Sequence, residues 1–168
     1  MKFRAEHVFN NITVAEYEAL YFDEVFNEAL CKAVKLERKV IKRDLVNGQL
    51  TRILRISPDR EIPGPMRKVI GADRIEYTEY IEYKWGSHQA IWRTESSILP
   101  DKVDARGTLG FEARGNGVVR WVEGEVKVKV FGVGGLVERF VVADVEKGYD
   151  NAAGFTHKWL AEHGTKIG

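Results

Sequence analysis

Three polar residues interrupt apolar strand patterns in this sequence: Glu79 between Tyr77 and Ile81, Arg120 between Val118 and Val122, and His7 between Ala5 and Phe9. On a strand, residues i and i+2 share a face, so each should point inward with its apolar neighbours. An unpartnered interior charge is expensive. Glu79 and Arg120 therefore need each other, as a structural ion pair, or need a polar ligand. The ligand reading makes them an anchor for a headgroup or carboxylate, or makes one of them a general acid in a cyclase-like pocket. A one-residue shift of register would instead turn them outward. His7 reads more simply as a hydrogen-bonded core histidine than as a catalytic base. Around these positions Tyr77, Tyr83, Trp92, Phe111 and Trp159 are candidates to line a cavity, and equally ordinary core aromatics.

Other chemistries find little support. His7, His88, His157 and His163 have no metal-ligand spacing, so no metal site is expected. There is no Gly-x-Ser-x-Gly elbow. Gly132-Val-Gly-Gly135 lacks both the Lys of a phosphate loop and the dinucleotide-binding spacing, so no cofactor is expected. Cys31 is the lone cysteine, which excludes an internal disulfide and reads as a small residue near a helix end.

The elements that must position these residues can be read in order. Lys2 to Phe9 alternates as a strand, with Phe3, Ala5, His7 and Phe9 on one face. Thr13-Val-Ala-Glu16 is a capping-box pattern, starting one or two short helices through Leu30. A strand over 34–45 meets Asn47-Gly48, a type I′ hairpin signal, and returns over 49–57. The Pro- and Gly-rich connection 58–73 carries apolar Ile62, Met66, Val69 and Ile70 and reads as a flap with a short helical turn. Three turn signals then separate four strands over 74–85, 88–99, 103–114 and 118–131, an antiparallel meander.

The last element is a long helix, Leu136 to His163, about 42 Å at 1.5 Å per residue. At 100° per residue, Val137, Val141, Val145, Gly148, Ala152, Phe155, Thr156 and Trp159 form one stripe, the expected buried face. Gly148 and Ala152, the smallest residues of the stripe, mark where the helix can stand back from small wall residues such as Ala105 and Gly124 and leave a cavity. Seven strands that curl, followed by one helix long enough to lie across them, make an α+β helix-grip fold: a curved antiparallel sheet wrapped round the C-terminal helix, with short helices after the first strand.

At 168 residues, 44% hydrophobic and 30% charged, the chain fits one domain over 1–168. No apolar run approaches the roughly 20 residues of a membrane span, and the opening residues lack a signal-peptide block; the expected location is cytoplasmic. The charge is uneven. Residues 32–74 carry twelve Lys and Arg against five Asp and Glu, a net +7 in a chain of total +1, so the remainder is −6. This could attract an anionic membrane surface, or be the solvated face of two strands. Nucleic acid is not an expected partner.

The segments Phe3-Arg-Ala-Glu-His-Val-Phe9 and Ile62-Pro-Gly-Pro-Met-Arg-Lys-Val-Ile-Gly71, within this order of elements, resemble the START-like (SRPBCC) superfamily, and within it an uncharacterised bacterial branch. Glu6-His-Val-Phe-Asn10 and 65–72 are more loosely similar to the PRELI-like phospholipid carriers. The resemblance covers nearly the whole chain and implies a hydrophobic ligand tunnel between sheet and helix. The combined expectation is a noncatalytic protein that binds or transports a hydrophobic, lipid-like small molecule. Its site comprises Tyr77, Glu79, Tyr83, Trp92, Phe111, Arg120, Val145, Gly148 and Ala152, with Ile62, Met66, Val69 and Ile70 as a mobile flap. The alternatives are a cyclase- or hydrolase-like enzyme acting on an aromatic or polyketide-type substrate, and a protein or membrane-surface interaction module.

Overall fold

The computed structural model describes residues 1–165. Strand β1 (Lys2–Asn10) leads into α1 (Val14–Tyr21) and α2 (Glu24–Ala33). Then follow β2 (Leu36–Val46), β3 (Gln49–Pro58), α3 (Gly64–Ile70), β4 (Tyr77–Lys84), β5 (Gln89–Ser96), β6 (Val103–Arg114), β7 (Gly117–Val128) and α4 (Gly134–His163). The strands form one antiparallel sheet in the order β1-β7-β6-β5-β4-β3-β2, with β1 returned beside β7. Sheet and long terminal helix together make the α+β helix-grip fold.

Local chemistry explains the joints. Thr13 Oγ1 accepts from the Glu16 amide at 3.1 Å while Glu16 Oε1 accepts from the Thr13 amide at 3.0 Å, satisfying two otherwise orphaned N–H groups at the start of α1. Asp23 caps α2 through its carboxylate and the Phe26 amide. The β2–β3 turn places both Asn47 (φ 51) and Gly48 (φ 78) in the left-handed region that a type I′ turn demands.

Two elements carry more detail than the sequence pattern. The apolar residues of the 58–73 connection are not exposed: Ile62, Met66 and Ile70 are 2%, 7% and 5% exposed, and Val69 packs against the same core. α3 is thus fastened by its apolar side to the core, next to α4. The expected stripe of α4 does face the core, with Val137 and Thr156 buried and Val141, Val145, Phe155 and Trp159 packed on it, but the buried face is wider. Val142 and Ala153 are also buried and Tyr149 packs on the core, whereas a Cβ added at Gly148 would meet nothing within 4 Å.

The core has two regions. Below α1 lies an aromatic cluster of Tyr17, Tyr21, Phe22, Tyr83 and Phe111, with ring centroids 4.6–6.3 Å apart. Toward the other end, between the sheet and the first half of α4, the packing opens.

Candidate functional site

That opening is a cavity of about 120 Å³. The sheet contributes Phe3, Trp92, Val103, Ala105 and Val126, α4 contributes Val141, Val145 and Tyr149, and Ile75 before β4 and Ile98 after β5 border it. Its polar groups are Tyr77, Glu79, Thr94, Ser96 and Asp144. Trp92 is held in the wall from two sides. Its indole N–H donates to the Thr108 carbonyl at 3.2 Å, and its ring lies against Gly124, the one residue type whose lack of a Cβ permits that approach. Gly124 therefore seats the indole and does not itself leave empty space.

A groove of about 340 Å³ adjoins the cavity, walled by 58–63 on one side and by Phe140, Ala143, Asp144 and Lys147 of α4 on the other. Ile75 and Asp144 border both spaces. At this shared boundary Arg60 Nη2 meets Asp144 Oδ2 at 2.6 Å, a salt bridge joining the flap connection to the helix.

The interior polar groups have unexpected partners. Glu79 pairs with Arg52, not with Arg120: Arg52 Nη2 lies 3.5 Å from Glu79 Oε1. The reason is topological, because β4 pairs directly with β3, with Arg52 opposite Ile81, whereas β7 lies three places from β4 in the sheet. Arg52 is 5% exposed, and its Nε and Nη1 have no hydrogen-bond partner among the described residues. Arg120, 4% exposed, donates from Nη2 to His7 Nδ1 at 2.9 Å and lies over the Tyr149 ring, 4.8 Å from its centroid; its Nε is also unpartnered. His7 Nε2 in turn meets Asp150 Oδ1 of α4 at 2.7 Å. Burial raises the phenols of Tyr77 and Tyr149 well above their ordinary value, so both remain protonated at neutral pH.

Of the residues singled out in the sequence, Tyr77, Glu79, Trp92 and Val145 line the cavity together. Tyr83 and Phe111 lie in the aromatic cluster under α1. Tyr83 donates its hydroxyl to the buried Glu18 carboxylate, which also accepts from the Gly86 amide at 2.8 Å, so this pair ties α1 to the β4–β5 turn. Arg120 stands beside Tyr149, and Ala152 and Gly148 are half-buried on α4 without bordering the cavity. Of the flap residues, Ile62 borders the groove, while Met66, Val69 and Ile70 pack into the core.

A family model described as "Protein of unknown function (DUF2505)" matches residues 5–160. The chain belongs to the DUF2505 family. No match was found among curated proteins. Among solved structures, this DUF2505 chain is similar to a START superfamily protein from Mycobacterium smegmatis, at 13% identity and TM-score 0.57, covering 94% of this chain and 98% of that one. It is similar also to Zhui aromatase/cyclase from Streptomyces sp. R1128, at 11% identity and TM-score 0.58, covering 96% of each. A third is norcoclaurine synthase from Thalictrum flavum, solved with dopamine and hydroxybenzaldehyde, at 17% identity and TM-score 0.61, covering 97% of this chain and 88% of that one. At these identities the likeness establishes the START-like (SRPBCC) fold.

Several site residues of the DUF2505 chain escape a reading of the sequence. Arg52 was legible in principle, since Leu50, Arg52, Leu54 and Ile56 alternate as cleanly as the residues around Arg120, yet it sits among so many basic residues that it reads as one more solvated charge. Much of that basic surplus is engaged: Arg38 with Glu24, Arg55 with Glu76, Arg60 with Asp144 and Arg74 with Glu37. No group of His, Cys, Asp and Glu among the described residues could hold a metal ion, and no helix there is long and apolar enough to cross a membrane.

Proposed function

We propose that this protein binds a hydrophobic small molecule in the cavity between the curved sheet and α4. The observation that carries the reading is the cavity itself, a mostly apolar space with Tyr77, Glu79, Thr94 and Ser96 grouped on adjacent strands of one wall. Such a combination, apolar walls with a few polar groups that orient the occupant, is what small-molecule sites share. Size restricts the occupant. A dry cavity of about 150 Å³ accepts benzene, so 120 Å³ accommodates a ring-sized group and not a two-chain lipid. A larger or lipid-like molecule has to extend into the adjoining groove, displacing the Arg60–Asp144 bridge and the 58–63 segment.

Native mass spectrometry of the protein purified under mild conditions tests this reading. A retained small molecule released on unfolding is the expected result; a protein that never carries one, and acquires none from a lipid and metabolite extract, would contradict it. The catalytic alternative has one observation in its favour, that the Glu79 carboxylate borders the cavity. Cyclase- or hydrolase-like turnover abolished in Glu79→Gln would support that alternative, and unchanged turnover would remove Glu79 from it.

A further inference from the structure

The space between sheet and α4 holds more buried positive charge than negative. Arg52 has Glu79 for a partner, but Arg120 meets no carboxylate among the described residues. Its contact is His7 Nδ1 at 2.9 Å. A guanidinium offers only donors, so Nδ1 must accept, leaving the ring proton on Nε2 to be donated to Asp150. That carboxylate is 73% exposed and screened by water. Removing an ion from water without a counter-charge costs several kcal/mol, and a well-packed apolar residue in its place is often neutral or stabilising. A buried Arg kept in this condition, with Nε unpartnered, is prepared for an anion that arrives from outside.

The neighbours of Arg120 are also donors. Tyr149 presents its ring to the guanidinium and at the same time forms part of the cavity wall. Tyr21 packs on Phe111, ring centroids 5.1 Å apart, and Phe111 lies directly opposite Arg120 in the β6–β7 pair. Among the described residues the tyrosine hydroxyls with hydrogen-bond partners are those of Tyr80 and Tyr83, which leaves both of these phenols free to donate. Burial keeps them protonated.

We propose that Arg120, with the hydroxyls of Tyr21 and Tyr149, seats a carboxylate of the bound molecule, which makes the ligand an organic acid with an apolar, ring-sized body. The proposal rests on the cavity being a ligand site. Glu79, neutralised by Arg52, does not compete for the seat. It lines the wall as the acceptor half of a pair already formed.

Three probes of equal length separate the chemistry: 3-phenylpropionate, 3-phenylpropan-1-ol and 3-phenylpropylamine, titrated at pH 7 into the ¹⁵N-labelled full chain with the Trp92 indole N–H as reporter. The acid should bind at least tenfold more tightly than the alcohol, and the amine no better than the alcohol. In Arg120→Met the acid should weaken to the level of the alcohol, whose own affinity stays within twofold. Because a lone buried charge is removed, the urea midpoint of Arg120→Met should equal or exceed that of the wild type, which a purely structural role for Arg120 would reverse. An alcohol that binds the wild type as well as the acid overturns the carboxylate seat while sparing the cavity, and an amine that binds best assigns the anchoring to Glu79 instead. These comparisons use the unsubstituted protein and need no variant to fold. If all three probes leave the cavity resonances unmoved, the ligand-site reading fails and the seat falls with it.

Discussion

Cutting the Arg60–Asp144 bridge should speed small apolar molecules into and out of the cavity while leaving their affinity nearly unchanged. The bridge stands where groove and cavity meet, so an occupant that passes between the flap connection and α4 must part it. Its geometry is close, 2.6 Å, but its side chains are 38% and 23% exposed, which places it among partly solvated pairs contributing about 0.2–1 kcal/mol. If that energy is lost in the passage state and not in the bound state, exchange should accelerate by roughly 1.5- to 5-fold, from the ratio of about 1.4 kcal/mol per factor of ten. Toluene, which suits a ring-sized space, provides the assay: its exchange rate is measured by NMR line shape in the wild type, Arg60→Ala, Asp144→Asn and the double variant. The singles should resemble each other and the double should add little, because each removes the same interaction. Raised salt should shift the wild type toward the variants. Unchanged exchange in both single variants, or a change in affinity with no change in rate, would refute the assignment of this bridge as the gate.

The remaining predictions concern the frame that holds the site. A Cβ at Gly124 would fall on the Trp92 ring and 2.7 Å from the Arg106 carbonyl oxygen, so Gly124→Ala should destabilise by about 1–3 kcal/mol in urea unfolding and push the indole into the cavity, lowering toluene affinity; a neutral variant would mean that Trp92 is not fixed there. Tyr83→Phe removes a donor from the buried Glu18 carboxylate and should cost about 1–3 kcal/mol, with a loss below 0.5 kcal/mol showing that water replaces the hydroxyl. Burial raises the phenols of Tyr17, Tyr21, Tyr77, Tyr83 and Tyr149 above their ordinary value of 10.0. Folded phenols that resist ionisation mean that the unfolded chain loses protons first, so stability is full below pH 10 and falls above it, by about 1.4 kcal/mol per pH unit for each such tyrosine. Absorbance at 295 nm should show their tyrosinates appearing together with unfolding; ionisation of these residues well below the unfolding transition would contradict their burial.

The order of elements was open to reading because each boundary has a local chemical cause: the Thr13–Glu16 box, the Asn47-Gly48 turn and the alternation through the strands. The site was only partly open, for reasons that particular residues illustrate. Strand parity points Tyr77, Glu79 and Trp92 inward, and all three border the cavity. Parity cannot tell which strands become neighbours, so it leaves Arg120 or a ligand as the partners open to Glu79, whereas the sheet places Arg52 beside it. A helix offers less certainty still. The stripe of α4 marks Val137, Val141, Val145, Phe155, Thr156 and Trp159 as core-facing, which they are, but it passes over Tyr149, which lines the cavity where Gly148 does not. Asp144 was hidden by its charge, since a carboxylate at a cavity mouth looks like any solvated helix residue until its partner 84 positions away is known.

The claim on which the rest depends is that an apolar molecule sits between the sheet and α4. Intermolecular nuclear Overhauser effects from toluene to methyl-labelled protein measure that position directly. The account predicts contacts to the methyl groups of Val126 on β7 and of Val141 and Val145 on α4, which line the cavity. Contacts confined to outward-facing methyls such as those of Ile91 and Val46, which are both 63% exposed, would contradict it.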